Sequence, residues 1–347
     1  MKAKILLLGC LILVYALLTS SVNADDDKKN NTTAFSFALI GDTPYAVLPG
    51  ASDAAFDALR DEINANDALR FVLHAGDIKS GSTLCSDEMF NDRYARYSQF
   101  EKPFILTLGD NEWTDCHRLK AGGFQPLERL AKLRKIFFSE TGKTLAKPMR
   151  VMSQARDKNF SEFVENVMWR RANVMFATAH IVGSENGLEA FDPAGGAERT
   201  SANDKEVQRR TAAAVHWMNR AFDQAEQNKM AGVFLMIHAN PKLEYKWLLQ
   251  RDANGAVNRP GFNEFLIALS ARIKAFAKPV VLAHGDSHWF RIDKPELPAK
   301  AGVADEFLPN FTRVETFGAS SIAWIEVKVN PASKDVFQFE QHLVTKP

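Results

Sequence analysis

Aspartate and histidine side chains follow five apolar runs of the sequence, at the point where each run ends. Three of these places are Gly-Asp turns after FSFALI, LRFVLHA and KPFILTL, and two follow the later runs GVFLMI and PVVLA. Carboxylates gathered at one place repel each other unless a cation lies between them, and imidazole is a common ligand of metal ions. The side chains that could form a metal site are therefore Asp42, Asp77, Asp110, His238, Asp286 and His288.

The segments that carry these residues alternate between strand and helix patterns. Between the first two strands, Phe56, Leu59 and Ile63 have the spacing of one helix face. Strand–helix alternation predicts parallel βαβ units, in which ligands bind outside the carboxyl ends of the strands. We therefore expect the six side chains to lie close together at one edge. Further helices are expected at about 85–100, 125–139, 207–225 and 262–276.

The remaining segments suggest how the rest of one domain, residues 35–345, is built. Residues 173–182 form a predicted strand, and the polar, glycine-rich loop after it is expected to cover the edge of the site. The irregular stretch 140–168 is interpreted as a helical insertion. Three alternating segments near the end predict consecutive antiparallel strands at 311–318, 321–329 and 335–344.

Composition limits the classes of partner. The 347 residues include 43 Lys+Arg and 42 Asp+Glu, and no basic tract occurs. Capture of nucleic acid by charge is therefore not indicated. The balance of hydrophobic and charged residues fits a folded globular chain that binds a small substrate.

The first 24 residues have the pattern of a signal peptide. A basic start precedes an apolar run at 5–18, and Val22-Asn23-Ala24 resembles a cleavage site. The alternatives are a membrane anchor, for which the apolar run is short, and a lipoprotein at Cys10. We expect a secreted or periplasmic protein without a transmembrane segment in the mature chain, beginning with a polar leader at 25–34.

Two cysteines remain after the predicted signal peptide, and each follows a Gly-Asp turn. Turns after neighbouring parallel strands lie at the same edge, so Cys85 and Cys116 are expected to form a disulfide in an oxidising compartment. The alternative is two free thiols. The disulfide would join the loops that carry Asp77 and Asp110.

The order of these motifs resembles the calcineurin-like metallophosphoesterase superfamily, whose pattern is D-x-H, G-D, G-N-H-D/E, a lone His and G-H-x-H. This sequence has GDTP at 41–44, GD at 76–77, GDNE at 109–112, His238 and GDSH at 285–288. The resemblance spans about residues 35–292. It implies an α/β fold, a four-layer α/β/β/α sandwich of two mixed sheets flanked by helices.

The resemblance also implies two divalent metal ions, with Asp77 shared between them. By position, Asp42 and His288 would complete the first site. The second would use Asp110, His238 and Asp286. Two cations so placed would activate a water molecule and bind phosphoryl oxygens.

Four positions depart from the family pattern. Pro44, Asn111 and Asp286 stand where the family has histidine, and Asp110 stands where it has asparagine. One interpretation is a site rebuilt with oxygen ligands, which favours Mn, Mg or Ca over Zn, with Fe also open. The other is a decayed site on a binding protein. Aspartate stands at both replaced ligand positions, 110 and 286, and this favours the interpretation of a rebuilt metal site.

Neighbouring residues supply candidates for catalysis and substrate binding. Asn111 occupies the position of the family's usual catalytic histidine. His284 either takes over the role of that missing histidine or is a residue bonded to backbone. Contacts with phosphate are expected from His117 and Arg118, with a solvated surface as the alternative for the arginine. Trp113 and Trp289 would wall the pocket or stack on a substrate ring, unless they only pack the loops.

These observations predict an exported, metal-dependent phosphoesterase that cleaves phosphate mono- or diesters of a small substrate with a metal-activated water. A nucleotidase or cyclic-nucleotide diesterase is a narrower form of that function, in which a tryptophan stacks on the base. The alternative from another class is a non-catalytic secreted binding protein on the same fold.

Overall fold

The structure is a computed structural model that describes residues 33–46, 48–244 and 249–344. The predicted signal peptide and nearly all of the polar leader lie outside the described residues. Among the residues that are described, no helix is both long and apolar enough to cross a membrane.

Six strands form the first sheet. In spatial order they are β15 (Phe337–Leu343), β14 (Ala323–Val329), β1 (Phe35–Ile40), β2 (Leu69–His74), β3 (Pro103–Leu106) and β4 (Leu145–Ala146). The three central strands, β1 to β3, are parallel, and the outer strands are antiparallel to their neighbours. The sheet is therefore mixed.

Seven strands form the second sheet. In spatial order they are β10 (Arg291–Asp293), β13 (Phe311–Glu315), β9 (Val280–His284), β8 (Gly232–Met236), β7 (Val174–Thr178), β6 (Val167–Arg171) and β5 (Met152–Ser153). Strands β7, β8, β9 and β13 are parallel. A separate two-stranded ribbon joins β11 (Leu297–Pro298) to β12 (Asp305–Glu306).

Helices cover the outer face of each sheet. The first sheet carries α1 (Ala54–Ala65), α2 (Asp87–Tyr97) and α3 (Pro126–Phe137), and the second carries α5 (Ser201–Gln227) and α6 (Asn263–Phe276). Each long helix buries one apolar stripe, as Phe56, Leu59 and Ile63 of α1 do. A short left-handed helical turn, α4 (Gly183–Gly187), follows β7.

A layer of buried hydrophobic side chains joins the two sheets. Phe37 and Phe71 of the first sheet stack at 4.7 Å between ring centroids, and Phe176 and Phe234 of the second sheet pack against Phe37 edge-on. Helices, sheet, sheet and helices therefore form four layers. The predicted four-layer α/β/β/α sandwich is confirmed.

Two expectations about the chain are wrong in detail. Residues 140–168 contain the short strands β4 and β5 and a 3-10 turn at Gln154–Arg156, with no α-helix. The first strand of the tail, β13, joins the second sheet parallel to β9, so the three tail strands are not consecutive neighbours. Only β14 and β15 pair with each other, and they are antiparallel as expected.

Candidate metal centre

The six predicted metal ligands lie at the carboxyl ends of parallel strands from both sheets. Asp42, Asp77 and Asp110 follow β1, β2 and β3 of the first sheet. The remaining three follow β8 and β9 of the second sheet. Because the two sheets pack face to face, these strand ends bring the six side chains to one place.

Tight backbone turns hold four of these residues. Asp42, Asp77, Asp286 and His288 have φ values of 54°, 56°, 82° and 60°, which lie in the left-handed region. A residue with a Cβ occupies this region at a cost of roughly 1–3 kcal/mol, and such residues concentrate at ligand sites. The surrounding structure therefore fixes these side chains in unfavourable turns rather than letting the turns relax.

Close packing explains the glycine that precedes two of the aspartates. A Cβ on Gly109 would lie 2.1 Å from Asp77 Oδ1, and a Cβ on Gly285 would lie 2.3 Å from Asp42 Oδ2. Neither space admits a methyl group. The Gly-Asp pairing noticed in the sequence thus lets the backbone of one turn approach the carboxylate of another.

The side chains form two groups that share Asp77. The first contains Asp42, Asp77 and His288, and the second contains Asp77, Asp110 and His238. In each group the ligand atoms lie within 4.8 Å of one another. The grouping has the geometry needed for two neighbouring cations with a carboxylate between them.

His238 presents one ring nitrogen to the carboxylates. Its Nδ1 lies 2.7 Å from the carbonyl oxygen of Ala75, which can only accept a hydrogen bond, so Nδ1 carries the proton. Its Nε2 then points at Asp110 Oδ1 (2.8 Å), Asp77 Oδ1 (3.3 Å) and Asp286 Oδ1 (4.0 Å). Metal-ligating histidines typically have their second nitrogen fixed in this way by a carbonyl or carboxylate.

His288 repeats this arrangement in the first group. Its Nδ1 lies 2.6 Å from the carbonyl oxygen of Ala319, and its Nε2 lies 3.5 Å from Asp42 Oδ1. The Tyr45 hydroxyl lies 3.2 Å from the same nitrogen and 3.1 Å from Asp77 Oδ2. Tyr45 therefore contacts both groups at their junction.

The pKa shifts of these side chains indicate that the two groups contain too little positive charge for their carboxylates. Burial raises the pKa of Asp42 and of Asp77 well above the usual value, and burial together with the Asp110 charge raises the pKa of Asp286 to about 7. Burial opposes a charged His238 ring, but the carboxylates of Asp77 and Asp110 outweigh it and raise its pKa. A set of buried oxygens and imidazole nitrogens with this charge imbalance fits divalent cations.

A pocket of about 460 Å³ opens over the two groups. Its outer wall is formed by Arg118, Glu185, Glu189, Lys242 and Phe262. The Arg118 guanidinium lies 2.6 Å from Asp115 Oδ2 and 3.6 Å from Glu189 Oε2, and Lys242 pairs with Glu185. The outer wall therefore carries both signs of charge, in ion pairs that remain partly exposed.

Asn111 lies in the pocket beside the shared carboxylate. Its backbone N–H donates to Asp77 Oδ1 at 3.1 Å, and its side-chain amide donates to Asp77 Oδ2 and to the Tyr45 hydroxyl at 3.3 Å. The residue thus orients Asp77 and faces the space where a substrate would sit. An amide has no proton to release near neutral pH.

Four of the other predicted site residues do not line the pocket. His117 stacks on Phe191 at 4.3 Å and accepts a hydrogen bond from the Asp192 N–H, so it anchors the loop after α4. Trp113 is buried against His180. Trp289 is 68% exposed and lies outside the pocket lining. The fourth is His284.

His284 is fully buried, and its Nδ1 lies 2.9 Å from the Gly285 carbonyl oxygen. Burial and the nearby Arg313 lower its pKa to about 3, so the ring is neutral. It shares the β9 face with Val280 and Leu282, which pack in the helix-covered core. Of the two interpretations left open, a residue bonded to backbone fits this position.

Several pocket residues were not identified from the sequence, and three of them contact or adjoin the candidate ligands or the wall of the pocket: Tyr45, Ser184 and Lys242. Tyr45 directly follows the first motif, and Ser184 and Lys242 follow the parallel strands β7 and β8. The Ser184 hydroxyl lies 2.7 Å from Asp110 Oδ2 and 2.8 Å from Asp115 Oδ1. The loop after β7 was expected to cover the edge of the site, and Ser184, Glu185 and Glu189 of this loop do line the pocket, although these side chains were not singled out. The strand-end rule would also have identified the loop after β8, which carries Lys242.

The predicted disulfide is present. Cys85 and Cys116 are joined, with 5.8 Å between their Cα atoms. The bond connects the segment after β2 with the 3-10 turn Thr114–His117 after β3. It therefore joins the two loops that hold Asp77 and Asp110.

Comparisons with known proteins give little beyond this geometry. No family model matches the sequence, and a search of curated proteins finds no match. Among solved structures, the chain resembles the purple acid phosphatase PPD1 from seeds of yellow lupin (Lupinus luteus), with a TM-score of 0.46 and 11% identity over 89% of this chain and 54% of that chain. The chain spans about half the length of that phosphatase, and a similarity this weak says nothing about activity.

Proposed function

We propose that this chain is a metal-dependent phosphoesterase that hydrolyses a mono- or diester of a small phosphorylated substrate. The observation that carries the proposal is the pair of Asp/His groups that share Asp77 on the inner wall of an open pocket. The order of the five motifs, with its resemblance to calcineurin-like metallophosphoesterases, supports the same chemistry.

The residues that would hold two divalent cations follow from the geometry. Asp42, Asp77 and His288 form the first set, and Asp77 with Asp110 and His238 forms the second, with Asp286 close by. When bound, such a pair of cations supplies positive charge that lowers the pKa of a water molecule and neutralises phosphoryl oxygens. Oxygen atoms predominate among the ligands, which favours Mn²⁺, Mg²⁺ or Ca²⁺ over Zn²⁺.

The chain's own groups would position the substrate. Arg118 lines the pocket, and its N–H donors suit phosphoryl oxygens. The Asn111 amide uses its two N–H groups on Asp77 and Tyr45 and so positions these residues. The Tyr45 hydroxyl contacts both Asp77 and His288 and would fix the positions of these two side chains relative to each other. The apolar wall at Phe262 suits the organic part of a small ester.

We expect the rate of ester hydrolysis to depend strongly on the leaving group of the substrate. Asn111 cannot donate a proton as an acid would, and His284 lies outside the pocket. Substrates whose leaving group departs without protonation, such as aryl phosphates, should therefore be cleaved much faster than alkyl phosphates. Equal rates on matched aryl and alkyl esters would contradict this account of the site.

The assay compares the wild-type protein with Asp77→Asn, in the presence of Mn²⁺, on an aryl phosphate. Loss of turnover is expected in Asp77→Asn, while the matched control Asp223→Asn on the exposed face of α5 should keep it. A wild-type protein that binds metal but turns over none of a broad set of phosphate esters would favour the alternative of a non-catalytic binding protein.

We further propose that the protein is exported. The sequence pattern of residues 1–24 and the disulfide between Cys85 and Cys116 support this independently, since such bonds persist in oxidising compartments. Mass spectrometry of the protein from its native source should find an amino terminus near Asp25. Recovery of protein that still carries residues 1–24 would contradict export with cleavage of a signal peptide.

A further inference from the structure

A second group of potential ligands lies on the outer face of the first sheet, away from the pocket. Glu326 of β14 and Glu340 and His342 of β15 place their ligand atoms within 4.8 Å of one another. The antiparallel register puts Glu326 directly opposite Glu340, and Trp324 directly opposite His342. The three ligands therefore belong to one small block of four cross-strand neighbours.

The pairing of the two glutamates is unfavourable without a cation. Like charges directly opposite each other on one face of a sheet destabilise it. Lys328 pairs with Glu340 and neutralises that member of the pair. Glu326 has no such partner among lysines and arginines of the described residues, although its side chain is only 10% exposed.

The imidazole of His342 is fixed against the same block. It stacks on the Trp324 indole with 4.0 Å between ring centroids and 13° between the planes. The indole N–H donates to Glu62 Oε1 of α1 at 2.8 Å, and that oxygen lies 3.9 Å from His342 Nδ1. The ring is thereby held with its edge toward Glu326.

One polar atom in this block lacks the hydrogen bond that a buried group normally makes. His342 Nε2 is buried and has no hydrogen-bond partner within the described residues. The nearest carboxylate oxygen, Glu326 Oε2, lies 3.3 Å away on a side chain that is 10% exposed. A buried polar atom left in this way costs stability, so an unseen partner is indicated.

We propose that Glu326, Glu340 and His342 form a separate binding site for one divalent metal ion, and Zn²⁺ is the probe that tests it. Two carboxylates and one imidazole are a ligand set that Zn²⁺ accepts, as do other divalent ions, and the ion would lie beside the ring nitrogen that now has no hydrogen bond. It would also offset the charge of the opposed glutamates and join the edge strand β15 to β14. Glu62 is positioned to orient the imidazole, as carboxylates beside metal-bound histidines do.

The test counts Zn²⁺ bound to metal-stripped protein by equilibrium dialysis with excess Zn²⁺. The wild type is expected to bind one more equivalent than His342→Gln and than the isosteric Glu326→Gln. The same difference of one equivalent should persist when Asp77→Asn is present in all three proteins, since this substitution alters only the pocket ligands. Circular dichroism confirms that each variant is folded, and either variant alone suffices for the comparison.

A matched control substitutes Lys328, the positively charged side chain beside Glu340. Lys328→Ala removes the side chain that pairs with Glu340, so it should keep the additional equivalent and bind it more tightly. Identical zinc counts in the wild type, His342→Gln and Glu326→Gln would overturn the proposal, because the block would then bind no ion of its own.

Discussion

The inner and outer parts of the pocket are built differently. The inner part consists of aspartates and histidines, buried apart from the half-buried Asp286 and His288, at the ends of five parallel strands, with each histidine fixed through its second ring nitrogen. The outer part consists of partly exposed ion pairs, such as Arg118 with Asp115 and Lys242 with Glu185. Chemistry that needs fixed geometry is expected from the inner part, and adaptable contacts with substrate are expected from the outer part.

The largest effect is expected from the inner part. His238→Gln removes the imidazole nitrogen that faces three carboxylates, while the amide can still reach the Ala75 carbonyl. Activity should fall at least about a hundredfold, and one metal equivalent should be lost. The matched control is His216→Gln, an exposed histidine on α5 paired with Asp157, which should change neither quantity. Equal activity in the two variants would remove His238 from the site.

Metal removal should affect stability in a pH-dependent way. In the metal-free fold, burial raises the pKa of Asp42 and Asp77, and raises that of Asp286 to about 7. Folded protein then binds more protons than unfolded protein, so stability is lost as pH rises from about 4 to 7. The raised pKa of His238 acts in the same direction.

Bound cations remove this penalty, so chelation should lower Tm more at pH 8 than at pH 5, by at least about 5 °C at the higher pH. Thermal unfolding with and without chelator at the two pH values measures the difference. A chelator effect that is equal at both pH values, or larger at pH 5, would contradict the charge balance described for the inner part.

A smaller effect is expected from the outer part. Arg118→Ala removes N–H donors from the pocket wall, and the loss of one charge-assisted contact corresponds to about a tenfold rise in KM. Arg118 contacts no inner ligand directly and reaches Asp110 only through Ser184, so kcat and metal content should stay near the wild-type values. A fall in kcat without a change in KM would show that Arg118 acts on the chemical step instead.

The smallest effect is expected at Trp289. Its side chain is 68% exposed and lies outside the pocket lining, so Trp289→Ala should leave kcat/KM within about twofold of the wild-type value. Steady-state kinetics on the substrate used for Arg118→Ala give the comparison. A larger loss would restore the expectation that this indole stacks on the substrate.

The inner part could be predicted from the sequence because strand ends and Gly-Asp turns are local signals. Parallel strands that end in Asp42, Asp77 and Asp110 must present these residues at one edge. The outer part could not be predicted as well, because side-chain direction in the loops depends on packing. Trp113 and His117 follow the third motif closely, yet they turn into the core and against Phe191.

The tail shows a different limit. Alternation identifies the strands at 311–329 and their buried faces, but it does not identify a strand's partner. The chain crosses from the second sheet to the first between β13 and β14, where no pattern marks the change. For His284 the pattern was not informative, because residues 280–283 are apolar on both faces of β9. The structure places His284 on the face of Val280 and Leu282, which pack in the helix-covered core.

The most direct test of the central claim is the metal content of purified protein comprising residues 25–347, after dialysis against metal-free buffer and reloading with Mn²⁺. The account predicts about two equivalents per chain at the paired groups in the wild type and in Asp223→Asn, and a clear loss in Asp77→Asn, whose side chain belongs to both groups. Retention of no metal by the wild type, or the same content in Asp77→Asn, would contradict a two-metal site built on Asp77.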